Sequence, residues 1–309
     1  MCGLVGFSGK ANTSVFKALH LLADNDSRGG HSTGLFANGK IYKTTDESMN
    51  ILPMLKTSET GSVLIGHTRY ATHGEHTVEN AHPYQYGNII GAHNGVLSNY
   101  KEVGKKFNIK KTTVDSQMIF KLLSQEKNDK HLGLFSGAKN VLFTKGDNKL
   151  YIYRRDNPLY YLETEEGMYV SSLKEGLEKI KNKKDKVKEV PENQLFTIEN
   201  GKLISKQKIK HNPIAAKVSV NTDWRSYGSS NHYSNYYGGH LARDFNNDYS
   251  LNDDDELEDD KFQKEAFNEI SKHADFIHNL YCTDRFNDEE SSNLMELYDY
   301  LNTMAYEYY

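Results

Sequence analysis

Cys2 is the residue in this sequence best placed to do chemistry. A methionine followed by a small residue is normally trimmed, which would leave Cys2 first in the chain with a free α-amine. That amine titrates near about 7.7–8.0, far below lysine, so a nucleophile and its general base would share one residue. The competing reading is an inert cysteine in a buried strand. Of five histidines at 67, 73, 76, 82 and 93, four lie in Gly66-His-Thr-Arg-Tyr-Ala-Thr-His-Gly74, Asn80-Ala-His-Pro83 and Ala92-His-Asn-Gly95, and His76 follows the first of these. Neither HExxH nor CxxC occurs, and His73–His76 is a single i,i+3 pair. Hydrogen-bonding histidines are therefore expected, with no metal and no cofactor. The two cysteines, Cys2 and Cys282, cannot form a disulfide framework. Lys181–Lys188 reads as a solvated loop rather than a nucleic-acid patch.

Short strands must carry these residues. Cys2–Gly9 is an apolar, glycine-containing run that predicts a strand, and Val15, Phe16, Leu19 and Leu22 have helical spacing. Ser62–Gly66 and Gly87–Ala92 read as buried strands bounded by glycine. Asp115–Leu123 reads as a helix with Met118, Ile119, Leu122 and Leu123 on one face. Five further strands are expected, at Val141–Thr144, Leu150–Arg154, Leu159–Leu162, Met168–Ser171 and Leu195–Ile198. Mixed strands with flanking helices point to a layered α+β fold.

The charge divides sharply along the chain. Residues 211–309 hold 20 acidic and seven basic side chains, a net of −13, whereas residues 1–210 carry +9 within the overall −4. Hydrophobic residues make up 37%, and with the 23 glycines the apolar share is about 45%, the low edge of the globular range. The mean hydropathy of −0.74 suits a chain whose tail stays outside a core. No apolar run nears the roughly 18 residues of a membrane span, and no signal peptide opens the chain, so a cytoplasmic location is expected. Residues 2–210 are expected to form one domain and 211–260 a polar, acidic, disordered linker. Residues 261–309 read as a helical hairpin that could dock a partner. Nucleic-acid binding is not expected of so acidic a tail, and a homo-oligomer stays open.

Cys2-Gly3, Arg28-Gly-Gly-His-Ser-Thr-Gly34, His-Thr-Arg69, Thr72-His73-Gly74 and His93-Asn94-Gly95 occur in that order. In combination they resemble the class II, N-terminal-nucleophile glutamine amidotransferase domain, over about residues 2–205. The likeness is greatest to the glutaminase half of glucosamine-6-phosphate synthase. It implies a four-layer αββα N-terminal-nucleophile hydrolase sandwich, here followed by the polar linker and the C-terminal hairpin. It also implies Cys2 as nucleophile, with Asn94 and Gly95 as oxyanion-hole donors. Arg69 would take the α-carboxylate of glutamine, for which its planar fork is suited, and Asp115 the α-ammonium. Thr72 and His73 would line the same pocket, and Arg28 would order the nucleophile loop. Tyr70 stands where the synthases carry tryptophan, and the Arg28–Gly34 loop replaces Arg-Gly-Tyr-Asp-Ser-Ala-Gly; both departures bear on gating and on passage of ammonia.

The resemblance implies glutamine hydrolysis through a Cys2 thioester. In the resembling enzymes a further domain consumes the ammonia, and the last hundred residues here show no GxxxxGK[ST] phosphate loop. The expectation is a stand-alone glutaminase subunit delivering ammonia to a separate acceptor synthase. One alternative is an amidohydrolase of the same fold acting on γ-glutamyl or other small amides. Another is a binding or regulatory protein without turnover.

Overall fold

The computed structural model describes residues 2–10, 15–55, 61–70, 75–110 and 112–215, together with Met295 and Tyr298. The strands are β1 (Gly3–Gly9), β2 (Ser32–Ala37), β3 (Lys40–Thr44), β4 (Val63–Arg69), β5 (Tyr84–Tyr86), β6 (Ile89–Gly95) and β7 (Lys139–Thr144). They continue as β8 (Lys149–Arg155), β9 (Tyr160–Glu163), β10 (Gly167–Ser171), β11 (Val187–Glu189), β12 (Gln194–Glu199) and β13 (Lys202–Lys208). Four helices join them: α1 (Phe16–Asp26), α2 (Tyr100–Lys106), α3 (Gln117–Glu126) and α4 (Lys174–Ile180).

Side-chain alternation divides these elements into layers. Along β1, Leu4 points into a core shared with Ile90, Ala92, Leu142 and Ile152 of the second sheet. Val5 and Phe7 point the other way, against Leu19, Leu22 and Leu177 of α1 and α4. On β6, Ile90 and Ala92 face inward while Ile89 joins Met118, Phe120 and Leu123 of α3. Three buried clusters therefore mark the three interfaces of four layers, helix on sheet on sheet on helix. Both sheets are antiparallel, in the orders β11-β9-β10-β1-β4-β2-β3 and β13-β12-β8-β7-β6-β5. The α+β αββα sandwich implied by the sequence is the architecture found.

Local chemistry shapes the helices. In α1, Ala18, Leu19, Leu21 and Leu22 are buried, and the Ser27 hydroxyl closes its end by donating to Asp24 O (3.0 Å). Gly66 on β4 lets α1 approach closely, because a Cβ there would lie 2.9 Å from both Leu22 methyls. In α3, Lys127 adopts φ +50° just past the last turn, and its N–H donates to Leu123 O (3.0 Å).

After β13 the chain stays on the body through residue 214. Asn212 and Ile214 N–H groups donate to Gly133 O and Leu134 O, and Asn99 Nδ2 donates to Ile214 O (2.8 Å). The expected linker and hairpin otherwise lie outside the described residues; Met295 and Tyr298 are helical, and Tyr298 packs partly buried against the α1-side core.

Candidate active site

Strand parity gathers the candidate residues at one end of the sandwich. Arg69 shares the inward face of β4 with Ile65 and His67, and Asn94 shares that of β6 with Ile90 and Ala92. The register Gly3–Thr68 brings Cys2, the residue before β1, beside Arg69 and Tyr70. Tyr70 N–H donates to Cys2 Sγ at 3.3 Å, and Sγ lies 3.5 Å from Tyr70 O. Arg28 Nε donates to Cys2 O at 3.0 Å and fixes the backbone there. Burial pushes the Cys2 thiol up; the Tyr70 N–H and the Arg69 charge pull it down without offsetting that. A thiol so placed needs a base to become a thiolate.

Asn94 and Gly95 form the opposite wall. Asn94 Nδ2 is buried and has no acceptor among the described residues, a donor in want of an oxygen. Asn157 Nδ2 donates to Asn94 O (3.3 Å) and holds that backbone. Gly95 has φ +152°, and a Cβ there would lie 1.9 Å from Ala138 O, so only glycine fits. Asp115 is buried just before α3; its Oδ2 accepts Leu97 N–H at 2.8 Å and its Oδ1 accepts Ser116 Oγ–H at 3.4 Å. One carboxylate thus ties the helix start to the turn that follows Asn94-Gly95. Arg69 is buried, with Nη1 donating to Glu75 O (3.3 Å), and its own carbonyl accepts His31 N–H (3.1 Å). Thr72 and His73 lie outside the described residues.

Three of the five histidines are buried and linked, with the His93 ring on the α3 side of β6. His67 Nε2 donates to His93 O (3.1 Å), His82 Nδ1 lies 3.1 Å from His67 Nδ1, and His93 Nδ1 meets Ser116 Oγ at 2.8 Å. Burial holds all three neutral, lowering His67 to about 3, His93 to about 4 and His82 well below its ordinary value. Among the described residues no group of three acidic, cysteine or histidine side chains is arranged to hold a metal. His76 belongs instead to a ring stack at the mouth. His31 lies between it (4.5 Å) and Tyr70 (4.7 Å), and Tyr70 is 48% exposed. Sequence reasoning missed His31, Ser116 and Asn157 as site neighbours. All three reach the site through long-range contacts, for which a single sequence carries no spacing signal. Lys181, Lys184 and Lys188 are each paired with a glutamate of this body: Glu178, Glu165 and Glu163.

Residues 67–179 match the model of the glutamine amidotransferase domain family. The chain is 32% identical over 154 residues to glutamine–fructose-6-phosphate aminotransferase (isomerizing) of Lactococcus lactis, covering 46% of this chain and 25% of that protein. It is 36% identical over 141 residues to the enzyme of that name from Methanococcus maripaludis, covering 42% and 23%. The chain thus spans about a quarter of the length of the curated relatives it matches. Among solved structures it is similar to the glutamine phosphoribosylpyrophosphate amidotransferase of B. subtilis (TM-score 0.58, 19% identity, 68% of this chain and 50% of that one). It is also similar to a structure described as the allosteric regulatory enzyme of purine biosynthesis (TM-score 0.59, 19% identity, 69% and 50%), and at such identity both show the fold. The fold is that of the N-terminal-nucleophile amidotransferases. Over residues 67–179 the chain matches a glutamine amidotransferase domain.

Proposed function

We propose that this domain hydrolyses glutamine to glutamate and ammonia through a thioester on Cys2, and that the ammonia passes to a separate acceptor enzyme. Once Met1 is removed, the Cys2 α-amine takes the thiol proton and the thiolate attacks the side-chain amide carbon. The carbonyl oxygen becomes an oxyanion held by Asn94 Nδ2 and the Gly95 N–H. The tetrahedral intermediate collapses as the α-ammonium gives its proton to the leaving nitrogen, releasing ammonia and the thioester. Water, deprotonated by the same amine, attacks the thioester, and glutamate leaves as the thiol is re-formed. Arg69 and Asp115 hold the α-carboxylate and α-ammonium, with Thr72 and His73 in the same pocket.

The observation that carries this reading is the buried Asn94 amide, without an acceptor among the described residues, on the second sheet at the end of the sandwich where Cys2 and Arg69 lie on the first. Delivery to a separate enzyme is supported by charge, since a segment of net −13 after residue 210 is ill suited to a phosphorylated acceptor. Glutamate release from glutamine, measured beside γ-glutamyl conjugates, tests the substrate: preference for a conjugate points to the amidohydrolase reading. The Cys2→Ala chain should fold and release no glutamate; undiminished release would end the proposal.

A further inference from the structure

Part of the positive charge of the body makes no ion pair among the described residues, Lys202, Lys206 and Lys208 of β13 included, and on α2 and α3 such lysines border clefts. Among the described residues, the ion pairs between lysine or arginine and carboxylates all lie away from α2 and α3. Lys101, Lys105, Lys106, Lys110, Lys121 and Lys127 line those helices and make none of these pairs, and Glu102 and Glu126 are the acidic residues on the same two helices. Lys101, Lys106 and Lys121 rest instead over the rings of Tyr100, Phe107 and Tyr86.

Two adjoining clefts run along this face and share Asn108 and Ile109. One, of about 550 Å³, has Tyr100, Gly104, Ile109 and Met118 in its lining with Lys101 and Lys105. Thr112 also lines it, and its buried hydroxyl has no hydrogen-bond partner among the described residues. The other, of about 500 Å³, adds Tyr86, Lys110 and Lys121. The groove thus offers ammonium groups, aromatic faces and a spare hydroxyl, the equipment for an acidic segment with some apolar content.

We propose that the occupant is this chain's own acidic run, residues 253–260. That run reads Asp-Asp-Asp-Glu-Leu-Glu-Asp-Asp, seven carboxylates about Leu257. The chain leaves the body beside the groove, because Ile214 is bonded to Asn99, the residue before α2, and packs against the same core cluster as Tyr100, Phe107 and Ile109. It returns at Tyr298, packed against the α1-side core of the same body. Only residues 216–252 separate the last described residue from the run, and at about 3.3–3.6 Å per residue they reach well past the groove. Tethering keeps the run at high effective concentration, so weak ion pairs suffice to hold it. The −13 of residues 211–309 then finds its complement in the +9 of the body.

The test is zero-length carbodiimide crosslinking of the full chain, mixed with an isotope-labelled copy and mapped by mass spectrometry. Crosslinks from residues 253–260 to Lys101, Lys105, Lys110 or Lys121 are expected within single chains. They should vanish near 1 M salt, where the screening length is about 3 Å. A chain with the seven carboxylates replaced by their amides should show several-fold faster acetylation of those four lysines and an unchanged rate at the paired Lys184. Crosslinks scattered equally over the paired lysines, crosslinks only between labelled and unlabelled copies, or unchanged acetylation would overturn the proposal. Retention of the intact chain on nucleic acid would favour an outside occupant and also overturn it.

Discussion

At Cys2, nucleophile and environment oppose each other. Burial raises the thiol, so at neutral pH the thiolate must be generated during the reaction by a base on the spot. In the proposed mechanism the α-amine, with an ordinary value of about 7.7–8.0, is that base; turnover should then fall as pH drops below it, and a chain that retains Met1 should be inactive. Asn94→Ala should lower kcat by about 10²–10³ with little change in KM, because its donor meets charge that exists only in the transition state. A large rise in KM with normal kcat would instead make Asn94 a ground-state contact. The residues proposed for these roles could be picked out of the sequence because Cys2, Arg69 and Asn94-Gly95 lie in contiguous motifs. The support for Asp115 was not: Leu97 N–H and Ser116 become its neighbours only once α3 is laid on the second sheet.

Among the elements, β1, β4, β6 and α3 could be read from apolar runs and helical spacing, since each buries one face or both. β2 and β3 could not, as Ser32-Thr-Gly-Leu-Phe-Ala begins inside a glycine-rich motif and β3 is a half-exposed edge. α2 hid because Gly104 interrupts it and lysines crowd it; that glycine gives room to the Met118 terminal methyl, 2.7 Å from where a Cβ would sit. Packing across the layers is testable at Leu22, which α1 presses onto Gly66. Leu22→Ala should cost about 2–5 kcal/mol, read as a fall in denaturation midpoint. The joints between elements also titrate. The neutral His67 ring links the two sheets through His93 O, and the neutral His93 ring joins β6 to the start of α3 at Ser116, with values near 3 and 4 against 6.5 when unfolded. The unfolded chain binds more protons in that window, so stability should be lost as pH falls below 6.5. Asp26, which joins α1 to Ser48, behaves oppositely. Burial lifts it from 3.8 to about 7, so the folded chain holds the extra proton and stability should decline as pH rises through that range. Asp26→Asn should remove this decline in melting temperature measured from pH 5 to 8; an unchanged slope would contradict it.

On the scale of the molecule, a basic catalytic body and an acidic tail were plain in the charge count, but how they meet was not. The lysines of α2 and α3, which make no ion pair among the described residues, acquire meaning only when the chain's exit at Ile214 is placed beside them. The centre of the account is nevertheless one covalent bond. It is tested most directly by acid-quenching the protein during turnover with glutamine and measuring its intact mass and the mass of its N-terminal peptide. The account predicts a chain without Met1, and a population heavier by one glutamyl group on Cys2 that hydroxylamine removes. A chain that turns over glutamine with no such adduct on Cys2, or with the glutamyl group on another residue, would contradict it.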